Sequence, residues 1–318
     1  SPLVRGIVSG LQEVDVVLIF AGTNTSPGVN PVGQAVVSGG NWTFQLSGLS
    51  EGNNQFTAVI ADAAGNRGTS AGVTLVLDTS PPLTGNSVTI SSYIDDQPEQ
   101  VGEFPESVPT NDTSPLIKGT YSGLNVADGE YILVYHGSVL VGRAVLFTDT
   151  GEWQIQASGL NEGTHVFTAV IVDAAGNEGT RSNNFVLVVD LTPPTSGNSV
   201  AITAYYDDEP LNTGDFLSGV PTNDQSPLLK GTVSGLQTGD IVLIYSGSTL
   251  AGQAVVDGLG GWTLQLNGLD QGTYQYQAVI ADAAGNQGTR SNIFTLIVDT
   301  TPPASGTIAV TSYIDRQE

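Results

Sequence analysis

A chain of 318 residues has room for about three ordinary domains. It carries 31 acidic against 8 basic residues, a net charge of −23, so nucleic acid and anionic lipid are poor partners. Such self-repulsion calls for a neutralising cation, and a divalent one is the natural candidate. Cys and Met are both absent, so no disulfide holds the domains, as in a long bacterial surface protein rather than a eukaryotic secreted one. With 39% hydrophobic residues and strong strand patterning, the chain is not a disordered acidic tail. No apolar run approaches the roughly 18–20 residues of a membrane span. No signal peptide is present, so targeting signals are expected outside this segment.

The chain opens on Ser1-Pro2-Leu3, which aligns with the second strand of later copies of the same pattern. Gly22–Val32 adds six residues relative to those copies and reads as a surface loop. Trp42, Phe44 and Leu46 then alternate with polar residues and share one face of a strand. The next run ends in Asp-Ala-Ala-Gly-Asn at 62–66, and a double proline follows at Pro81-Pro82. In the second copy, strands are predicted near 86–96, 115–123, 130–136, 140–148, 152–157, 164–173 and 183–190. Trp153 and Ile155 share a face there. The third copy repeats the scheme. Trp262, Leu264 and Leu266 face one way; Tyr276, Ala278 and Ile280 alternate with Gln277, Val279 and Ala281; Phe294, Leu296 and Val298 close the unit. No stretch has a convincing helical period.

The copies fix the organisation. Asp-Ala-Ala-Gly-Asn recurs at 173–177 and 282–286, and Ser-Pro-Leu at 114–116 and 226–228. Near-identical units at a fixed period mean a linear array. Double prolines at Pro193-Pro194 and Pro302-Pro303 stiffen short linkers. The units are therefore 1–79 (lacking its first strand), 80–191, 192–300, and a strand of a following repeat at 301–318. About seven short strands in roughly 110 residues, punctuated by turns, predict tandem immunoglobulin-like β-sandwiches, an all-β chain joined end to end.

Topology directs the acids. In a sandwich entered at one pole and left at the other, Asp95, Asp96, Asp112 and Asp190 fall near the trailing pole of unit two. Asp282 and Asn286 fall at the leading pole of unit three, across the Pro193-Pro194 linker. Equivalent acids are Asp78 with Asp173 at the first junction, Asp207, Asp208, Asp224 and Asp299 at the trailing pole of unit three, and Asp62 and Asp315 at the two ends of the array. Calcium takes six to eight hard oxygen ligands, so these Asp residues are expected to bind Ca2+, with Mg2+ less suited. The alternative is that they are turn formers and strand-end gatekeepers, with Gly176 supplying a positive φ.

Four elements carry a family likeness: V-D-x-T-P-P, the acidic Y-x-D-D, T-N-D-x-S-P-L, and G-x-W followed by D-A-A-G-N-x-G-T. In order, they resemble the bacterial immunoglobulin-like repeats of giant adhesins and biofilm matrix proteins, including extender repeats. The resemblance covers the whole chain and implies extracellular display at a bacterial surface or in a biofilm matrix, export as a long chain, and calcium at domain junctions. Leu77 and Ser80 depart from the linker pattern, and Arg316 stands where Asp96 and Asp208 stand elsewhere.

Other residues carry less. Trp42, Trp153 and Trp262 read as core anchors rather than sugar platforms. His136 and His165 each occur in one repeat, without a Cys or second His at ligand spacing, and read as structural or solvated. No nucleophile elbow, triad or phosphate loop is present, so no enzyme is expected. The partners expected are neighbouring repeats, or copies of the chain head to tail, with cell-surface or matrix glycans as an alternative for a binding module. The orphan strand near 306–314 reads either as the edge of a window on a longer array or as a strand donated to the open first sandwich of another copy.

Overall fold

The computed structural model describes residues 1–83, 85–194, 197–210, 212–306, 308–312 and 314. The first sandwich holds β1 (Leu3–Ile7), β2 (Val16–Ala21), β3 (Gly33–Gln34), β4 (Val36–Ser38), β5 (Asn41–Gln45), β6 (Gly52–Ala61) and β7 (Arg67–Leu77). The second holds β8 (Ser87–Asp95), β9 (Gly102–Phe104), β10 (Pro109–Thr110), β11 (Leu116–Ser122), β12 (Tyr131–His136), β13 (Val139–Arg143), β14 (Val145–Phe147), β15 (Glu152–Gln156), β16 (Gly163–Val172), β17 (Glu178–Arg181) and β18 (Phe185–Val189). The third holds β19 (Ser199–Asp207), β20 (Gly214–Phe216), β21 (Pro221–Thr222), β22 (Leu228–Ser234), β23 (Ile241–Ser246), β24 (Thr249–Gln253), β25 (Val255–Val256), β26 (Gly261–Gln265), β27 (Gly272–Ala281) and β28 (Phe294–Val298). One turn of 3-10 helix, Val126–Asp128, interrupts the strands.

By chain contacts the molecule divides into two compact units. One is Ser1–Ser87 with Ser122–Leu133 and Val170–Arg181; the other is Val88–Tyr121 with Val134–Ala169 and Ser182–Glu318. The third sandwich lies wholly in the second unit. Its sheets run β20-β19-β22-β26-β25 and β21-β28-β27-β23-β24. The short β21 pairs parallel with β28, so the segment after β19 passes from one sheet to the other. β10 pairs with β18 in the same way. The middle strand predicted over 140–148 is two strands. β13 joins the sheet of β12 and β14 that of β15, with buried Ala144 between them. Ala254 and Ala35 mark the same switch in the other sandwiches, each donating its N–H back to the facing strand at 2.8 Å.

Alternation places the core as expected. Trp262, Tyr276, Ala278, Ile280, Phe294, Leu296 and Val298 join Tyr205 and Leu229 in one cluster. Trp153 and Trp262 are fully buried, and their indoles donate to Thr120 O and Thr232 O. Alternation fails near the leading pole of the third sandwich. Val279 and Ala281, on the other face, are buried with Leu243 and Tyr245 in a second small cluster.

The first sandwich differs. Its β1-β5-β4 sheet has three strands where the corresponding sheets have five. Trp42 there is half-buried and only packs against the core. The strand expected near 306–314 is not formed among its described residues, which meet no partner strand. Thr307, Tyr313 and residues 315–318, including the expected ligand Asp315, lie outside the described residues.

Candidate functional site

Each Asp-Ala-Ala-Gly-Asn segment is a closed turn built on its aspartate. Asp282 Oδ1 accepts from the N–H groups of Ala284 and Asn286, both at 2.9 Å, and Asn286 Nδ2 donates to Asp282 Oδ2 at 3.0 Å. Asp173 with Asn177 and Asp62 with Asn66 repeat this arrangement. Gly285, Gly176 and Gly65 sit at φ 88°, 95° and 85°, a region that favours glycine.

The asparagine also reaches beyond its own turn. Asn286 Nδ2 donates to the carbonyl of Asp190 at 2.8 Å, and Asn177 Nδ2 to that of Asp78 at 3.2 Å. The glycine two residues on lies beside the linker, where an added Cβ would be in ordinary contact with a proline. A Cβ on Gly288 would lie 3.7 Å from Pro194, and one on Gly179 would lie 3.7 Å from Pro82. The motif is thus a socket for the linker that precedes it. That linker is also held from behind. Glu51 accepts from Thr79 N and Oγ1, Glu162 from Leu191 N and Thr192 Oγ1, and Gln271 from Thr300 and Thr301. These hydrogen bonds, first that from the Thr79 side chain, hold Glu51 below its usual carboxylate range. The sequence signal for this clamp is an acid or amide before the glycine that opens each of β6, β16 and β27.

The trailing-pole acids are organised by a threonine. Thr110 Oγ1 donates to Asp95 Oδ2 and accepts from Asp112 N at 3.0 Å, while Thr110 O accepts from Asp190 N at 2.9 Å. Thr222 ties Asp207, Asp224 and Asp299 in the same way. Asp95 and Asp207 are fully buried, and Asp112 and Asp224 nearly so. Asp96 and Asp208 are exposed beside them. Burial, then repulsion from Asp95 and Asp96, raises Asp112 above its usual range against the hydrogen bond from Ser114 N. Burial also raises Asp282, against the hydrogen bonds from Asn286 and Ala284, and the charge of Asp190 adds to the rise. Asp173 goes the other way, because hydrogen bonds from Asn177 and the turn outweigh burial.

At the second junction Asp95, Asp112 and Asp190 are tied to Thr110, Asp190 and Asp282 are tied to Asn286, and Asp96 is exposed beside Asp95. At the first junction Asp78 and Asp173 are linked through Asn177, and Asp62 lies exposed in its own turn with Asn66. Most of these carboxylates also do what the turn reading requires. Asp78, Asp95, Asp112, Asp190, Asp207, Asp224 and Asp299 each accept an N–H two residues on. Among the described residues, no three acidic or histidine side chains are gathered so as to hold a metal by themselves.

The second junction is the more enclosed. Asn111 N donates to Ala284 O, and Ala284 is fully buried where Ala175 is exposed. Glu99 Oε1 accepts from the Tyr245 hydroxyl at 2.7 Å, Gln287 Nε2 donates to that hydroxyl at 2.8 Å, and Arg290 lies over the Tyr245 ring. A hollow of about 400 Å³ opens between the 97–99 loop, Asn111, Leu191, Pro193 and the 285–287 turn. Two buried acceptors at this junction, Gln100 Oε1 and Asn111 Oδ1, have no protein partner, and Asp224 Oδ2 has none in the third sandwich. Unpaired buried oxygens carry a desolvation cost that a cation would relieve. This donor set of amide, carbonyl and carboxylate oxygens fits calcium.

Two further groups depart from expectation. The Gly22–Val32 loop is pinned by Arg67, whose guanidinium donates to the carbonyls of Thr25, Ser26 and Val29 and lies 4.6 Å from the Phe20 ring centre. His136 and His165, without a partner at ligand spacing in the sequence, meet each other. His165 Nδ1 is 3.0 Å from His136 Nε2, and His165 Nε2 faces Asn161 O at 2.8 Å. A carbonyl only accepts, so His165 carries its hydrogen on Nε2 and takes one from His136.

A family model described as bacterial Ig-like domain matches residues 11–79, 97–191 and 206–300. Among solved structures, the chain is similar to the fibronectin(III)-like modules of Clostridium thermocellum CbhA, at 15% identity over 70% of this chain and 100% of that one, TM-score 0.40. It is similar to Bacteroides ovatus SGBP-B of a mixed-linkage glucan utilization locus, at 14% identity over 93% of this chain and 63% of that one, TM-score 0.22. It is also similar to the BSP domain of a biofilm associated protein, at 13% identity over 94% of this chain and 64% of that one, TM-score 0.24. No helix among the described residues is long and apolar enough to cross a membrane.

Proposed function

Because the chain belongs to the bacterial Ig-like domain family and carries three copies of that domain, we propose that it is a structural extender or fibre-forming segment of a bacterial cell-surface or biofilm adhesin. Its work is to set distance, and calcium at the junctions stiffens it. The observation that carries this reading is the repeated linker clamp, Asn177 to Asp78 O and Asn286 to Asp190 O. The most heavily repeated motif in the chain is spent on fixing one unit to the next, which is what a spacer needs.

Asp112, Asp190 and Asp282, with the amide oxygens of Asn111 and Gln100, are the residues that would hold calcium at the second junction. Asp224 and Asp299 are the counterparts of Asp112 and Asp190 in the third sandwich, with Asp207 standing where Asp95 does. The ion would supply positive charge to buried carboxylates and close unpaired acceptors. Thr110 and Asn286 prepare the place by fixing Asp95, Asp112, Asp190 and Asp282 relative to one another. Calorimetric titration of the cation-free chain with calcium and with magnesium tests this. The reading expects calcium to bind more tightly, and Asn111→Ala together with Asp112→Asn to remove one site. Absence of calcium binding in the intact chain would refute the calcium part and leave the clamp standing.

A further inference from the structure

The chain has two histidines, and the fold brings them together on neighbouring strands of the second sandwich. His136 closes β12 and His165 is the third residue of β16. His165 Nδ1 lies 3.0 Å from His136 Nε2. Neither the linker clamp nor the junction acids use this pair. The three copies separate what is structural here from what is particular. The third residue of β6, β16 and β27 always donates to the carbonyl four residues earlier. Asn54 Nδ2 does so to Ser50 O at 2.7 Å, His165 Nε2 to Asn161 O at 2.8 Å, and the Tyr274 hydroxyl to Asp270 O at 3.0 Å. An amide or a phenol serves that bond as well as an imidazole does. What the imidazole adds is a second ring nitrogen, Nδ1, whose lone pair faces His136. The place of His136, the last residue of its strand, is held by Ala21 in β2 and by Ser246 in β23. Both facing nitrogens therefore belong to the second repeat alone.

We propose that His136 Nε2 and His165 Nδ1 bind a divalent transition-metal ion of the class of Cu2+, Ni2+ and Zn2+, with water in its remaining positions. Imidazole nitrogen suits these ions, Cu2+ most tightly, and does not suit calcium. Asn161 O gives His165 the support a metal-ligating histidine needs. It accepts the other ring N–H, and so fixes both the tautomer and the orientation of the ring. Two nitrogens each about 2.0–2.1 Å from one ion lie about 2.9 Å apart at a right angle and about 3.3–3.4 Å apart in a tetrahedron. The 3.0 Å between these nitrogens falls inside that range.

The ion takes the place of the hydrogen between the rings. His136 then carries its hydrogen on Nδ1, so no proton is released. His165 stays where Asn161 O holds it, and His136, stacked on Phe167 with ring centres 5.0 Å apart, shifts in its own plane to aim its lone pair. Both rings are half-buried, so solvent reaches the pair. Burial first, then the neighbouring His165, holds His136 below its usual value, which frees it of a competing proton at neutral pH.

Titration of the intact chain with Cu2+ in excess calcium, followed by electron paramagnetic resonance, tests the proposal. The intact chain should bind the ion with hyperfine splitting from two imidazole nitrogens. His136→Ser and His165→Tyr each install the residue of the third repeat, and the tyrosine preserves the bond to Asn161 O. Each should weaken binding by about tenfold or more, the loss caused by removing even a supporting partner of a metal ligand. Unchanged affinity and spectrum in both variants would overturn the proposal. So would an intact chain that binds no Cu2+, or one whose Cu2+ shows oxygen ligands alone and is displaced by calcium, which would put the ion among the carboxylates. The nitrogen splitting is read on the intact chain, so a variant that folds poorly leaves the test standing.

Discussion

Asn286 Nδ2 lies 2.8 Å from the carbonyl oxygen of Asp190, 96 residues earlier, while the same amide holds the Asp282 side chain. One side chain closes its own turn and grips the end of the previous unit. Removing it by Asn286→Ala should loosen the second junction by about 0.5–1.5 kcal/mol per hydrogen bond lost. Amide hydrogen exchange checks this: protection should fall across 190–194 and 282–288 and hold in β23 and β27.

The tryptophans separate a closed core from an open one. Trp153→Ala should destabilise its sandwich by about 3–5 kcal/mol, because it removes a fully buried indole and leaves a cavity. Trp42→Ala should cost clearly less, since Trp42 is half-buried beside a groove. Chemical denaturation followed by domain-specific exchange distinguishes the two. Equal costs would contradict the open first sandwich.

Gly231→Ala and Gly119→Ala should each destabilise by about 1–3 kcal/mol, because the new methyl meets a strand carbonyl that cannot swing aside. Expression yield and melting temperature report this directly.

His136 sets a pH dependence specific to the second repeat. Burial first, then the neighbouring His165, holds His136 below its usual value of 6.5. The unfolded chain therefore binds more protons than the folded one between the two values. Stability from His136 is complete above 6.5 and is lost as pH falls through its folded value. Melting of the second repeat should drop over that window, and His136→Phe, which keeps the stack on Phe167, should flatten the drop.

Strand positions were legible because inward residues such as Trp262, Leu266, Phe294 and Val298 alternate cleanly with polar ones. The split at Ala144 was not, since a change of sheet leaves the alternation intact on either side. Val279 and Ala281 read as an outward face; their burial with Leu243 and Tyr245 depends on the tertiary fold. Topology placed Asp95, Asp112 and Asp190 at one pole, and Asp207, Asp224 and Asp299 likewise, but not the hydrogen bonds that tie each trio to Thr110 or Thr222. The turn roles of Asp62, Asp173 and Asp282 were legible from the Asp-x-x-Gly-Asn spacing alone. What the spacing could not show is that Asn177 and Asn286 also serve another unit, because that partner lies about a whole repeat away in sequence. The His136–His165 contact was hidden for the same reason, 29 residues separating two neighbouring rings.

Small-angle scattering on the intact chain at low concentration, with calcium and then with chelator, beside an Asn177→Ala, Asn286→Ala variant, tests the spacer account most directly. The account predicts the longest maximum dimension with calcium, a shorter and broader distribution in chelator, and the shortest for the variant in chelator. Superimposable distance distributions from all of these samples would contradict it.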